Sequence, residues 1–187
     1  GAGCVTPGGG CTELFNGKNL DGWEVTDFAG GGAIKVKDGE IHMAMGELIS
    51  GINLAHENIP RTNYELEAEA MKLDGNDFFC GLTFPVGDTF ASFIPGGWGG
   101  TVVGLSSIDG MDASENETAT FKNFENNRWY HFRVRVTPGK IQCWVDDEMV
   151  VDLLLEDRAI ALRAGPIELS VPIGITSFQT VTRIRNI

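Results

Sequence analysis

The segment Tyr64-Glu65-Leu66-Glu67-Ala68-Glu69-Ala70 places charge at every odd position and apolar side chains between them. A period of two is the geometry of an extended chain, whose successive side chains point to opposite faces. One face of this stretch therefore enters a core and the other meets water. The same reading recurs along the chain. Residues 41–45 follow the turn Lys37-Asp38-Gly39. Residues 78–84 are almost wholly apolar, which predicts a central strand covered on both faces. Residues 89–94 and 101–108 are separated by Pro95-Gly96-Gly97-Trp98-Gly99-Gly100. Residues 128–136 and 141–145 flank Thr137-Pro138-Gly139-Lys140, which has hairpin turn chemistry. Further strands are expected at 150–155, 167–169, 173–178 and 181–187, with at most one helical turn near 156–161. Short strands spaced roughly 8–12 residues apart predict an all-β sandwich or barrel. The 187 residues suit one such domain over 12–187, after a Gly/Pro-rich tail over 1–11.

The 137–140 turn fixes a register for the hairpin it closes. Val136 faces Ile141, Val134 faces Cys143 and Phe132 faces Val145, making one apolar face. The other face then carries Trp129, His131, Arg133 and Arg135 on one strand, and Gln142, Trp144 and Asp146 on its partner. Opposed residues lie about 4.5–5.5 Å apart at Cβ, so Arg133 meets Trp144 and His131 meets Asp146. Indoles suit the apolar face of a pyranose ring. Guanidiniums donate to hydroxyls or to a developing oxyanion. An imidazole beside a carboxylate can move a proton near neutral pH. A solvated outer face decorated by cation–π contacts and ion pairs is the competing expectation.

Glu65, Glu67 and Glu69 share one strand face at a spacing of about 6.8 Å. That is near the carboxylate separation of an inverting glycosidase, about 6.5–9.5 Å. Trp98, flanked by glycines, is a candidate for sugar stacking. The loop holding Asp109, Asp112 and Glu115 is rich in hard oxygen ligands, so a divalent cation such as calcium is a candidate cofactor. The formal net charge of −12 argues against nucleic acid or an anionic membrane surface as partner, and leaves a neutral saccharide compatible. No apolar run approaches the roughly 20 residues of a membrane-spanning helix. Cys4 and Cys11 flank a Gly-rich segment and could close a disulfide loop in an oxidising compartment. Alternatively, Gly1-Ala2-Gly3-Cys4 resembles the processed end of a bacterial lipoprotein, with a lipid anchor on Cys4. Cys80 and Cys143 read as buried apolar side chains.

Leu14-Phe15-Asn16-Gly17-Lys18-Asn19-Leu20-Asp21-Gly22-Trp23 combines an apolar start, an Asn-Gly turn, a second turn and a tryptophan, and predicts an opening hairpin. With Lys37-Asp38-Gly39, Tyr64-Glu65-Leu66, Arg128-Trp129-Tyr130, Gly165-Pro166-Ile167-Glu168-Leu169 and Arg185-Asn186-Ile187, it resembles the 3-keto-disaccharide hydrolase family over nearly all of 12–187. The resemblance implies a concanavalin A-like jelly-roll sandwich of two antiparallel sheets. It also implies a bacterial protein of the periplasm, the outer-membrane surface or the extracellular space. The implied chemistry is cleavage of glycosides oxidised at carbon 3. A base removes the proton next to the ketone and the glycosidic group departs. On that reading His131 is the base or acid, Asp146 its orienting carboxylate and Arg133 the enolate stabiliser. Asp77, Trp98, Trp129, Gln142 and Trp144 become sugar contacts. Many relatives carry an Asn-Ser-Gly strand ending in arginine; here that region reads Asn76-Asp77-Phe78-Phe79-Cys80-Gly81, the mark of a divergent branch. A non-catalytic carbohydrate-binding module, or a structural subunit of an oligomeric cell-surface assembly, are the alternatives.

Overall fold

The structure is a computed structural model that describes residues 10–187. Strands are numbered in chain order. One seven-stranded antiparallel sheet runs β1 (Trp23–Val25), β4 (Ile49–Leu54), β13 (Gly174–Phe178), β6 (Gly81–Val86), β7 (Thr89–Gly97), β8 (Val102–Ser106), β9 (Thr120–Phe121). The other runs β12 (Glu148–Leu154), β11 (Lys140–Val145), β10 (Trp129–Thr137), β5 (Tyr64–Asp74), β14 (Val181–Arg185), β3 (Glu40–Met43), β2 (Ile34–Lys37). The two sheets face each other across a core that includes Ile41, Ile52, Leu82, Phe84, Phe93, Phe132, Ile141 and Ile175, all fully buried. This is the all-β sandwich that the strand pattern predicts, in the jelly-roll form of two antiparallel sheets that the family resemblance implies. No helix among the described residues is long and apolar enough to cross a membrane.

The expected β10–β11 register is the observed one. Val136 pairs with Ile141, Val134 with Cys143, Arg133 with Trp144 and Phe132 with Val145. The strand expected over 78–84 begins at Gly81, lies between β13 and β7, and is buried throughout. Its outward side chains share that burial because they are small and paired to one another, as with the Thr83 and Ser92 hydroxyls at 2.8 Å.

Two expectations are corrected. Residues 167–169 are not a strand but lie in a 3₁₀ helix, Pro166–Ser170. Pro166 lacks an N–H for a ladder and opens the turn, and the Glu168 N–H bonds back to the Gly165 carbonyl at 3.1 Å. Nor is the opening segment a hairpin. The Asn16 carboxamide oxygen accepts from the backbone N–H groups of Lys18 and Asn19 at 2.8 and 2.9 Å, so a local side-chain turn replaces strand pairing. The Trp23 indole N–H then bonds the Leu14 carbonyl at 2.8 Å, and the Leu14 N–H bonds the carbonyl of Ile187 at 2.8 Å. The segment thus ties the two ends of the domain together.

Cys80 and Cys143 are free and buried, and burial pushes both thiols well up. Cys11 is disulfide-bonded. Cys4, with its candidate pairing and lipid anchor, lies outside the described residues, as does most of the 1–11 tail.

Candidate functional site

The outward face of β10, β11 and β5 gathers the side chains that the hairpin register places there. Each has a partner within the face. The Arg133 guanidinium lies 4.1 Å from the ring centroid of Trp144, and Arg135 lies 5.1 Å from the same ring. Arg135 pairs with Glu65 at 2.7 Å. Arg185 covers Trp129 at 3.7 Å and pairs with Glu69 at 3.1 Å. Trp144 is only 7% exposed as a result. Its indole is a floor beneath arginines, not an open platform. Of the three glutamates that the sequence spaces along β5, Glu65 and Glu69 are engaged by arginines and Glu67 stands beside the His131 imidazole. Gln142 stands between Arg135 and Asp152 on neighbouring strands.

The expected His131–Asp146 side-chain pair is not formed. Asp146 does sit across from His131, but it adopts a positive φ of 53° in the turn after β11. From there its carboxylate accepts the His131 backbone N–H at 2.9 Å and pairs with Arg128 at 3.0 Å. The His131 imidazole instead stands 3.8 Å from Glu67, both side chains 40% exposed. The acidic loop is likewise dispersed. Asp109 accepts the Ala159 N–H at 2.7 Å, Asp112 faces Arg163 at 3.7 Å, and Glu115 joins neither. No group of three potential metal ligands converges among the described residues.

Two of the expected sugar contacts do come together, at one end of the sandwich. The β7–β8 connection holds Trp98 at a φ of 48°, flanked by Gly96, Gly99 and Gly100 at 88°, 92° and 108°. A left-handed conformation is a genuine outlier for a bulky side chain, and such strain persists only where the surroundings enforce it. Here they do. A Cβ on Gly100 would sit 3.3 Å from the carbonyl oxygen of Asn76, so the loop lies flat against residues 76–77. The Asp77 carboxylate accepts the N–H groups of Phe78 at 2.9 Å and Gly99 at 3.4 Å. Trp98, 37% exposed, is thus presented beside a carboxyl that is partly withdrawn from water. Burial pushes the Asp77 carboxyl above the ordinary aspartate range; the two N–H groups and the charge of Lys72 pull it part of the way back.

Lys72 completes this group, and the sequence reading missed it. It continues the apolar row of β5 after Leu66, Ala68 and Ala70, so it points between the sheets. It is 5% exposed and is the one charged residue among the buried described residues. Its side chain forms no hydrogen bond or ion pair among them. The ammonium lies 5.8 Å from the Phe79 ring centroid, above a cluster in which Phe79, Phe124, Tyr130 and Phe132 meet at 5.0–6.3 Å. Burial lowers its pKa, and the charge of Asp77 offsets part of that. The signal was available: the strict alternation from Tyr64 to Ala70 extends by one period to Lys72.

The whole described chain, residues 10–187, matches a family model described as the 3-keto-alpha-glucoside-1,2-lyase-like domain. No curated protein matches at a significant level. Among solved structures, the chain is similar in fold to the carbohydrate-binding module CBM66 from Bacillus subtilis, with a TM-score of 0.53 and 14% identity over 88% of this chain and 92% of that one. A putative glycosyl hydrolase from Parabacteroides distasonis aligns at 0.51 and 13% identity, over 93% and 92% of the two chains. A laminarinase from Flavobacterium aligns at 0.54 and 12% identity, over 92% and 86%.

Proposed function

Since the chain belongs to the 3-keto-alpha-glucoside-1,2-lyase-like domain family, a family of carbohydrate-active domains, we propose that it cleaves glycosides whose carbon 3 has been oxidised to a ketone, and does so at the Trp98 end of the sandwich. The observation that carries this reading is the Asp77 carboxyl, desolvated and fixed by two backbone N–H groups against the strained Trp98 loop. A carboxylate whose pKa is raised is a stronger base than a free one. It removes the C2 proton, which the neighbouring ketone has acidified, and the glycosidic oxygen leaves from C1. The protonated Asp77 then supplies that proton to the departing oxygen. Trp98 gives the apolar ring face a surface to stack on.

The flat β10–β11 face fits this chemistry less well, because its arginines and glutamates already neutralise one another. A second reading, saccharide binding without cleavage, draws on the fold likeness to a carbohydrate-binding module. The disulfide-bonded Cys11 suits an oxidising compartment outside the bacterial cytoplasm, and we place the protein there. The test is turnover of a 3-keto-glucoside, with and without a chelator, by the parent protein, Asp77→Asn and His131→Ala. Loss in Asp77→Asn with retention in His131→Ala supports the reading. The reverse pattern moves the site to the β10 face, and saccharide retention with no turnover by the parent leaves the binding module.

A further inference from the structure

We infer that Lys72 is a nucleophile that forms an imine with the ketone of the sugar, which makes this a covalent, amine-assisted elimination. The inference rests on the proposed cleavage at the Trp98 end and assigns a new role within it.

The case begins with cost. A lysine drawn largely out of water without a partner has its charged form disfavoured. Lys72 as a residue is 5% exposed, while its ammonium tip keeps some contact with solvent. Lys72 is the only charged described residue with that burial. It has no hydrogen bond or ion pair among the described residues, and it faces an aromatic ring. Its backbone is meanwhile well anchored: the Asn127 N–H bonds the Lys72 carbonyl at 2.8 Å, and the residue pairs with Thr182 across β14. Nothing in its position requires an amine. An apolar side chain of similar length would continue the row of Leu66, Ala68 and Ala70. Lys72 also lies at the rim of the sandwich, where the polar group bearing on it is Asp77, the carboxyl beside Trp98. Desolvation favours the neutral amine, which is the form that attacks a carbonyl.

The steps balance without any external oxidant or reductant. The Lys72 nitrogen attacks C3, forming a C–N bond as the carbonyl π bond opens. The resulting carbinolamine takes up a proton from solvent and loses water to give a protonated imine, a better electron sink than the ketone; the proton returns to solvent when the imine is finally hydrolysed. Asp77 takes the C2 proton, leaving an enamine. The nitrogen lone pair re-forms the C=N bond, the C2=C3 pair moves to C1=C2, and the C1–O bond breaks with its electrons on the departing oxygen. That oxygen receives the proton from Asp77. Water hydrolyses the conjugated imine, releasing the unsaturated keto-sugar and restoring the amine.

Cyanoborohydride reduces imines in preference to ketones, so it freezes the intermediate. The full chain is incubated with a 3-keto-glucoside and cyanoborohydride, then digested and mapped by mass. The expected result is an increase equal to the keto-sugar less one oxygen, concentrated on the peptide bearing Lys72, with the other five lysines serving as internal controls for non-specific glycation. Lys72→Arg keeps a cation but forms no such adduct. It should lose turnover by on the order of a hundredfold while its thermal unfolding stays cooperative. Turnover by the parent protein with no preferential Lys72 adduct overturns the imine and leaves the Asp77 elimination standing, as does turnover within threefold of parent in Lys72→Arg. Absence of both adduct and turnover in the parent overturns the two together.

Discussion

Replacing Lys72 by methionine should make the protein more stable while removing the amine. In the folded state Lys72 as a residue is 5% exposed, its ammonium lies 5.8 Å from the Phe79 ring centroid, and it has no anionic partner in contact among the described residues. Methionine has a similar length, retains the apolar contact along the strand, and adds a sulfur–aromatic contact of about 0.3–1.5 kcal/mol. Exchanging a buried ion pair for apolar volume is often neutral or stabilising by about 1–4 kcal/mol, and a single lysine whose tip keeps some solvent contact belongs at the low end of that range. Asp77 loses an attractive charge in the variant, which offsets part of the gain, so we expect about 1–2 kcal/mol. For a chain of this size that is a rise in Tm of roughly 2–8 °C. The pH dependence carries a sign. The Lys72 pKa is lowered in the fold, so its charged form is the penalised one, and that penalty is present in full below the folded-state pKa. It fades as pH rises towards the ordinary lysine value, where the amine is neutral in both folded and unfolded chains. The advantage of Lys72→Met should therefore be largest at neutral pH and shrink on the alkaline side. Calorimetry or chemical denaturation across that range measures it. A fall in Tm at neutral pH would show that the amine holds the fold together, and the reasoning from its unpaired burial would fail.

Asp77→Asn should gain stability relative to the parent at neutral pH, because burial raises the Asp77 pKa and penalises its charged form; denaturation midpoints should show that gain shrinking as pH falls through the raised folded-state pKa and gone below about 4, where the aspartate is neutral in both states. Trp98→Ala should weaken saccharide retention roughly tenfold, about 1.4 kcal/mol, measured by titration calorimetry, with unfolding little changed because the ring is partly exposed. Trp144→Ala should do the opposite: a loss of about 2–3 kcal/mol from removing a nearly buried indole, with no change in saccharide affinity. Phe132→Ala, at the centre of the aromatic cluster and fully buried, should cost about 3–5 kcal/mol, read as a drop in Tm of roughly 6–20 °C.

The sandwich was legible because its signals are local. Alternation sets which face of a strand is buried, and the turn at 137–140 sets the β10–β11 register to the residue. What the sequence could not supply was how facing polar groups use one another. Placing Arg133 opposite Trp144 is a matter of register; whether that guanidinium points outward to a ligand or lies down on the indole depends on Glu65, which reaches the face from β5, about seventy positions earlier in the chain. Asp146 failed for a different reason. Its position was right, but a turn residue at a positive φ aims its carboxylate at backbone N–H groups, as short acidic side chains tend to do. The 3₁₀ helix replaced an expected strand because a proline at its start outweighs three apolar side chains.

The two candidate regions differ in one physical respect, and it is the reason we propose the Trp98 end. On the outward face of β10, the arginines and Glu65 and Glu69 are paired by neighbours that folding brings to them, so few of its charges are left for a ligand. An arriving sugar would have to displace Arg185 from Trp129 or Arg133 from Trp144 and leave Glu69 or Glu65 with less than it had. At the Trp98 end the balance is reversed. A tryptophan is held in a backbone conformation it does not favour, a carboxyl is partly desolvated, and a lysine lies largely between the sheets with no hydrogen bond or ion pair among the described residues. Each departs from its own energetic optimum, and a neutral keto-sugar offers something to all three: a ring face to the indole, an acidic C–H to the carboxylate and a carbonyl carbon to the amine. Unfavourable local features that a single ligand can relieve together are the expected signature of a working site.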